Sequence, residues 1–197
     1  MLGIALISFF RFRAACEFGI GVPPAEPNMP FQIGEKVVYP NHGVGVIENV
    51  SSRSFGSQCE NFYLLRLLCS SLTIMVPLAH AGHLRLRKVT RNGEVAKVLC
   101  FLSNGTCDLL GDWKDRFKEN SEKMESGGLL ETAQVLKGLL TLQLSKPLSF
   151  REKKMLDRAR HMLITELAVS RGIPEAAVTE KLQKALQKAS LRLPSAL

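Results

Sequence analysis

The chain has 197 residues, with 26 Lys and Arg against 18 Asp and Glu, and five cysteines. A content of 46% apolar and 22% charged residues is that of a folded globular protein and argues against wholesale disorder, while the longest apolar run, Leu2 to Phe10, is too short to cross a bilayer. An odd cysteine count without a Cys-x-x-Cys pair argues against a disulfide framework or a zinc ribbon, and a net charge of +8 points to an anionic partner for a soluble, cytoplasmic protein.

The opening is apolar, but Arg11 and Arg13 follow it where a secretory signal carries its positive charge in front. Ala14-Ala15 keeps a cleaved signal open as an alternative. Val22-Pro-Pro-Ala-Glu-Pro-Asn28 reads as an extended linker, and patterning begins at Met29. Residues 1–28 are therefore expected to be a disordered leader or an over-long gene start.

Residues 29–90 read as a small twisted β barrel, built from four or five short strands. Lys36 to Tyr39 is stopped by Pro40, and Asn41-His-Gly43 supplies a turn. Val44, Val46 and Glu48 alternate with Gly45, Ile47 and Asn49 as a second strand, and Ser51 to Ser57 reads as a polar turn around Gly56. Phe62 to Leu68 and Leu72 to Val76 are further apolar runs, the second ended by Pro77, and Arg85 to Val89 is a possible fifth strand.

After Asn92 the period becomes helical. Val95, Val98, Leu99 and Leu102 predict a helix ended by Asn104-Gly105, so residues 91–111 form a helix and linker. Residues 112–190 predict four helices. Trp113, Phe117 and Met124 lie on the first, which Gly127-Gly128 breaks; Leu129, Ala133, Leu136 and Leu140 line the second, which stops before Pro147. Ser149 and Glu152 make a capping box for the third, Gly172 closes it, and Pro174 suits the first turn of the fourth. Residues 191–197 are a tail. The fold class is α+β, a β barrel followed by a helical bundle.

At about 100° per residue, Met155, Leu156, Ala159, Met162, Leu163 and Leu167 share one arc of the third helix. Glu166 falls inside that arc, which predicts a partly buried carboxylate paired with Arg or Lys. Arg151, Lys154, Arg158 and His161 form a narrower arc beside it, either a solvated stripe or a row of phosphate contacts. Residues 110–197 carry sixteen basic against eleven acidic residues, a net of +5, so the helical half is the expected polyanion face. Trp113, the only tryptophan, stands among Lys114, Arg116 and Lys118. It is either a core anchor or an exposed aromatic that stacks on bases.

The sequence holds no Gly-x-x-x-x-Gly-Lys loop and no Gly-x-Ser-x-Gly elbow. His80, His83, Cys100 and Cys107 match no standard metal spacing. His42 reads as a turn residue, and Cys59, Cys69 and Cys100 as small core residues. No enzyme, cofactor or metal is expected.

Four motifs together resemble the CarD/CdnL family of bacterial transcription regulators. Phe31-Gln-Ile-Gly-Glu-Lys-Val-Val-Tyr-Pro-Asn-His-Gly-Val-Gly45 resembles its opening, and Leu72-Thr-Ile-Met-Val-Pro77 a strand late in its β domain. Trp113-Lys-Asp-Arg-Phe-Lys-Glu-Asn120 and Leu148-Ser-Phe-Arg-Glu-Lys-Lys-Met-Leu-Asp-Arg-Ala159 are similar to its helical domain. The resemblance covers about residues 29–188. It implies a Tudor-like domain that binds the RNA polymerase β subunit and a helical domain that binds promoter DNA at the upstream edge of the transcription bubble. Such a factor stabilises the open promoter complex and is expected as a monomer in the bacterial nucleoid.

On this resemblance Trp113 is the minor-groove wedge. Lys114, Arg116, Lys118, Arg151, Lys154 and Arg158 are the DNA-binding cations. Arg53, Thr73, Ile74, Met75, Val76 and Pro77 are the polymerase contacts, with Met75 where some relatives carry arginine. Pairing along the edge from Thr73 to Val76 would not need that side chain. The transcription-repair coupling factor shares the β module, but this chain has no helicase motor. An adaptor that docks polymerase and recruits another protein through its helices is the alternative.

Overall fold

Alternating apolar residues and turn chemistry build the first half. A computed structural model describes residues 30–55, 58–70, 72–107 and 112–194; the expected leader at 1–28 lies outside the described residues. Strands β1 (Lys36–Tyr39), β2 (Gly43–Phe55), β3 (Gln58–Leu67), β4 (Thr73–Pro77) and β5 (Arg87–Lys88) form one antiparallel sheet in the order β4-β3-β2-β1-β5. Val37, Ile47, Tyr63, Leu65, Leu67 and Val76 bury one face. The Tyr63 ring meets Phe31 edge-on at 6.1 Å, and burial pushes its phenol pKa up.

Most of the stretch expected as a polar turn is strand instead. From Ser51 onward β2 continues to Phe55, with Ser51 opposite Phe62, Ser52 opposite Asn61 and Arg53 opposite Glu60; Gly56 and Ser57 lie outside the described residues. Backbone pairing carries this arm where side-chain hydrophobicity does not, and Ser52 Oγ adds a bond to Asn61 Oδ1 at 2.5 Å. Cys59, Cys69 and Cys100, expected in the core, are all exposed. Cys59 lies on that polar arm, Cys69 in the turn after β3, and Cys100 off the buried stripe of Val95, Val98 and Leu102.

Among the described residues five α-helices follow: α1 (Asn92–Asn104), α2 (Trp113–Ser126), α3 (Leu129–Ser145), α4 (Phe150–Arg171) and α5 (Glu175–Lys188). Their core centres on Leu102, Leu136, Leu139, Leu163, Leu182 and Leu186. The capping box forms as expected, Ser149 and Glu152 satisfying each other's backbone N–H groups, and Gly172 in the left-handed conformation ends α4. Pro174 takes the extended position just before α5 rather than its first turn. Leu191, beyond α5, is buried in the same core. Lys137 is buried on α3, where its ammonium donates to Phe101 O and Leu102 O at the end of α1; burial lowers its pKa.

Glu166 is buried and ion-paired, as its place in the apolar arc requires: Arg87 Nη1 donates to its Oε1 at 2.6 Å. Gly127, between α2 and α3, has φ +72°, and a Cβ there would sit 2.9 Å from Pro40 Cγ. Gly127→Ala is therefore expected to cost about 1–3 kcal/mol through strain and overlap, read as a lower urea midpoint at unchanged slope.

Candidate nucleic-acid interface

Trp113 is the first residue of α2, and its side chain stands outside the core at 52% exposure. Lys114 and Lys118, one turn apart, lie on the same helix, and both are exposed. Phe117, a turn beyond Trp113, is half-buried and lines a groove of about 250 Å³ between α2 and α4. The opposite wall carries Arg151, Lys154 and Arg158, all exposed. Their spacing of three and four residues stacks the three cations along one face. Among the described residues Glu125 is the single acid in the lining, and Asn41, from the β1–β2 turn, closes one side.

Arg116 departs from its expected place. It is only 5% exposed, and its Nη2 donates to Glu152 Oε1 at 3.2 Å. Lys114 and Lys118 each lie about 160° around the helix from it at 100° per residue, so when they face water Arg116 faces inward. In that position it joins the start of α2 to the start of α4. Burial pushes the Glu152 carboxyl up, but hydrogen bonds from the Ser149 backbone and hydroxyl, and from Arg116, outweigh it and hold the group below its ordinary range.

Phe150 joins the exposed face, at 70% exposure, with the Lys154 ammonium 4.6 Å over its ring. It is absent from the residues expected at this site, although the signal was there: on the helical wheel Phe150 sits about 120° from Leu156 and about 40° from Lys154. Asn41 was missed for another reason, because only tertiary packing brings that turn to the groove.

On the sheet, Thr73 to Pro77 form β4, an edge strand whose one neighbour among the described strands is β3. Thr73 is exposed, Ile74, Met75 and Pro77 are half-buried, and the Val76 side chain is in the core, leaving only its backbone for an edge contact. Arg53 is exposed on the far arm of β2, two strands away and past the end of the β3–β4 pairing. His80 and His83 rings lie 6.2 Å apart, and among the described residues no three His, Cys, Asp or Glu gather as a metal site.

Residues 31–90 match the family model of the CarD-like/TRCF RID domain, and residues 97–183 match that of the CarD C-terminal domain. YdeB of Bacillus subtilis (strain 168), described as a candidate transcription factor, is 36% identical over 148 residues, which is 75% of this chain and 97% of that protein. The chain belongs to the CarD-like family of transcription factors. The sheet with its β4 edge falls in the RID match, a Tudor-like module whose designation points to RNA polymerase interaction. The groove-forming helices α2 and α4 both fall in the CarD C-terminal match. This is a regulator family rather than an enzyme family, and among the described residues no helix is long and apolar enough to cross a membrane.

Proposed function

We propose that this CarD-like protein is a non-enzymatic initiation factor that holds the RNA polymerase β subunit with its sheet and promoter DNA with its helices, lengthening the life of the open complex. The observation that carries the reading is the exposed Trp113 at the start of α2, with the cationic groove of Arg151, Lys154 and Arg158 on the neighbouring helix. An indole on that face acts as a minor-groove wedge at the upstream edge of the bubble, where it resists restacking of a partly opened step. Lys114, Lys118 and the α4 cations bind phosphates, which position the protein without reading sequence and so suit many promoters. Phe150 extends the aromatic surface beside them.

The backbone edge from Thr73 to Pro77 meets a strand of the polymerase by β-augmentation, which works without an arginine at Met75. Arg53 adds a contact from the far arm. Tethering raises the local concentration of a weak DNA binder, so affinity for free DNA stays low. The open state is favoured because the factor binds it better than the closed state. The protein acts as a monomer in the nucleoid.

The decisive experiment couples polymerase pull-down to an open-complex lifetime assay. Retention by polymerase with a longer lifetime supports the reading. Retention with no shift of fork-junction DNA, with or without polymerase, would make the helices a protein-recruiting adaptor instead. Lys118→Ala and Arg158→Ala are each expected to weaken DNA binding uniformly across sequences and to flatten the salt dependence by about one unit, checked by titration at several salt concentrations.

A further inference from the structure

The sheet and the helices meet where β2 packs against α4, and a polar clasp ties β5 to the same helical half. Arg87, on edge strand β5, places Nη1 and Nη2 at 2.6 and 2.8 Å from the two carboxylate oxygens of Glu166 in α4. Its Nε and Nη2 also donate to Gly127 O, between α2 and α3, at 2.7 and 2.5 Å. Glu166 Oε1 accepts from the Thr90 backbone N–H at 3.1 Å and from its hydroxyl at 2.5 Å. One turn further along α4, Ser170 Oγ donates to Thr90 O at 2.6 Å. Pro40, in the β1–β2 turn, packs on Gly127. One arginine thus ties β5 to two separate points of the helical half.

A forked guanidinium on a carboxylate is directional, whereas an apolar seam tolerates sliding. The Glu166 carboxylate is almost wholly buried, so this is not a screened surface pair. Buried ion pairs often stabilise no more than apolar packing would, and orientation is a use that apolar packing serves less well. We infer that Arg87 and Glu166 are positioning residues that fix the direction of the β4 edge relative to the α2/α4 face, so that polymerase and DNA are engaged by one rigid body. This rests on the two-site function proposed above. With polymerase bound, a rigid link presents Trp113 to DNA at a high effective concentration, and a loose one spreads it over orientations that cannot reach.

The test uses the full chain and the paired variant Arg87→Met/Glu166→Gln, which leaves no orphaned charge and keeps an acceptor for Thr90. Residual dipolar couplings report orientation. One alignment tensor is expected to fit both halves of the wild type, whereas the variant needs two, with each half internally unchanged. Affinities for polymerase alone and for fork-junction DNA alone should stay within about twofold, while the gain in open-complex lifetime falls about tenfold as effective concentration is lost. Arg87→Lys keeps the charge but not the fork, and should fall between; it carries the same readouts if the paired variant does not fold.

A single tensor for the folded variants would overturn the inference, and so would an undiminished lifetime gain once orientation has loosened. A wild-type protein without any effect on open complexes would sink the two-site function instead. The tensor comparison would still decide whether Arg87 and Glu166 set the orientation.

Discussion

Trp113→Ala is expected to keep the fold and the grip on polymerase while losing most of the open-complex stabilisation. The indole is 52% exposed and belongs to neither buried cluster, so its removal should cost no more than about 1 kcal/mol of stability. Its proposed work lies at a partly unstacked base step, where a wedge offsets about a few kcal/mol. At 1.4 kcal/mol per factor of ten, the open-complex lifetime should fall about 10- to 100-fold. Trp113→Phe, which keeps a smaller ring, should lie between. Thermal melts, polymerase affinity and open-complex decay together check the outcome. A helical domain that melts in the alanine variant would make the indole a packing residue after all, and an unchanged lifetime would remove the wedge.

Helical periodicity and end signals made the bundle legible from sequence. Ser149 with Glu152, Gly127-Gly128 and Gly172 mark ends by local backbone chemistry, and local chemistry survives without knowledge of the partner. Glu166 was legible for a related reason: a carboxylate in an apolar arc needs a cation, even though its partner, Arg87, is 79 residues away. The far arm of β2 and β3 was not legible. Serines carry little strand preference, and the pairing there is set by a neighbouring backbone. Cysteine type misled because the thiol is apolar enough for a core and small enough for a surface.

At the candidate site, sequence placed Trp113, Lys114, Lys154 and Arg158 in charged, aromatic segments, and all four are exposed. It put Arg116 with them because neighbours in sequence share composition. A helix separates residues two apart onto opposite sides, and that angle sends Arg116 to Glu152. The buried end of α2 had to be found in the tertiary contact, not in the motif that surrounds it.

That contact makes Glu152→Ala the change expected to cost the most stability. Glu152 does two jobs with one carboxylate. Its Oε2 accepts from the Ser149 N–H at 2.9 Å and from the Ser149 hydroxyl at 2.8 Å, while Oε1 accepts from Arg116. Losing the cap costs about 1 kcal/mol, and taking a carboxylate from a buried guanidinium commonly costs about 3–5 kcal/mol. The contacts share one group and are not additive, so a total of about 3 kcal/mol is expected.

The pH dependence gives a second, independent signature. Because the folded pKa lies below the ordinary value of 4.5, the carboxylate's contribution is fully present above that value and is lost as pH falls through the lowered one. Urea midpoints of wild type and variant should therefore be far apart near neutrality and converge in acid. A constant gap across that range would mean that the stabilisation does not depend on ionised Glu152. Glu152→Gln should retain part of the cap without the charge, separating the Ser149 contribution from that of Arg116. Since Arg116 follows Trp113 by less than one turn, loss of the pair should also loosen the start of α2 and weaken DNA binding, though by less than loss of the indole itself.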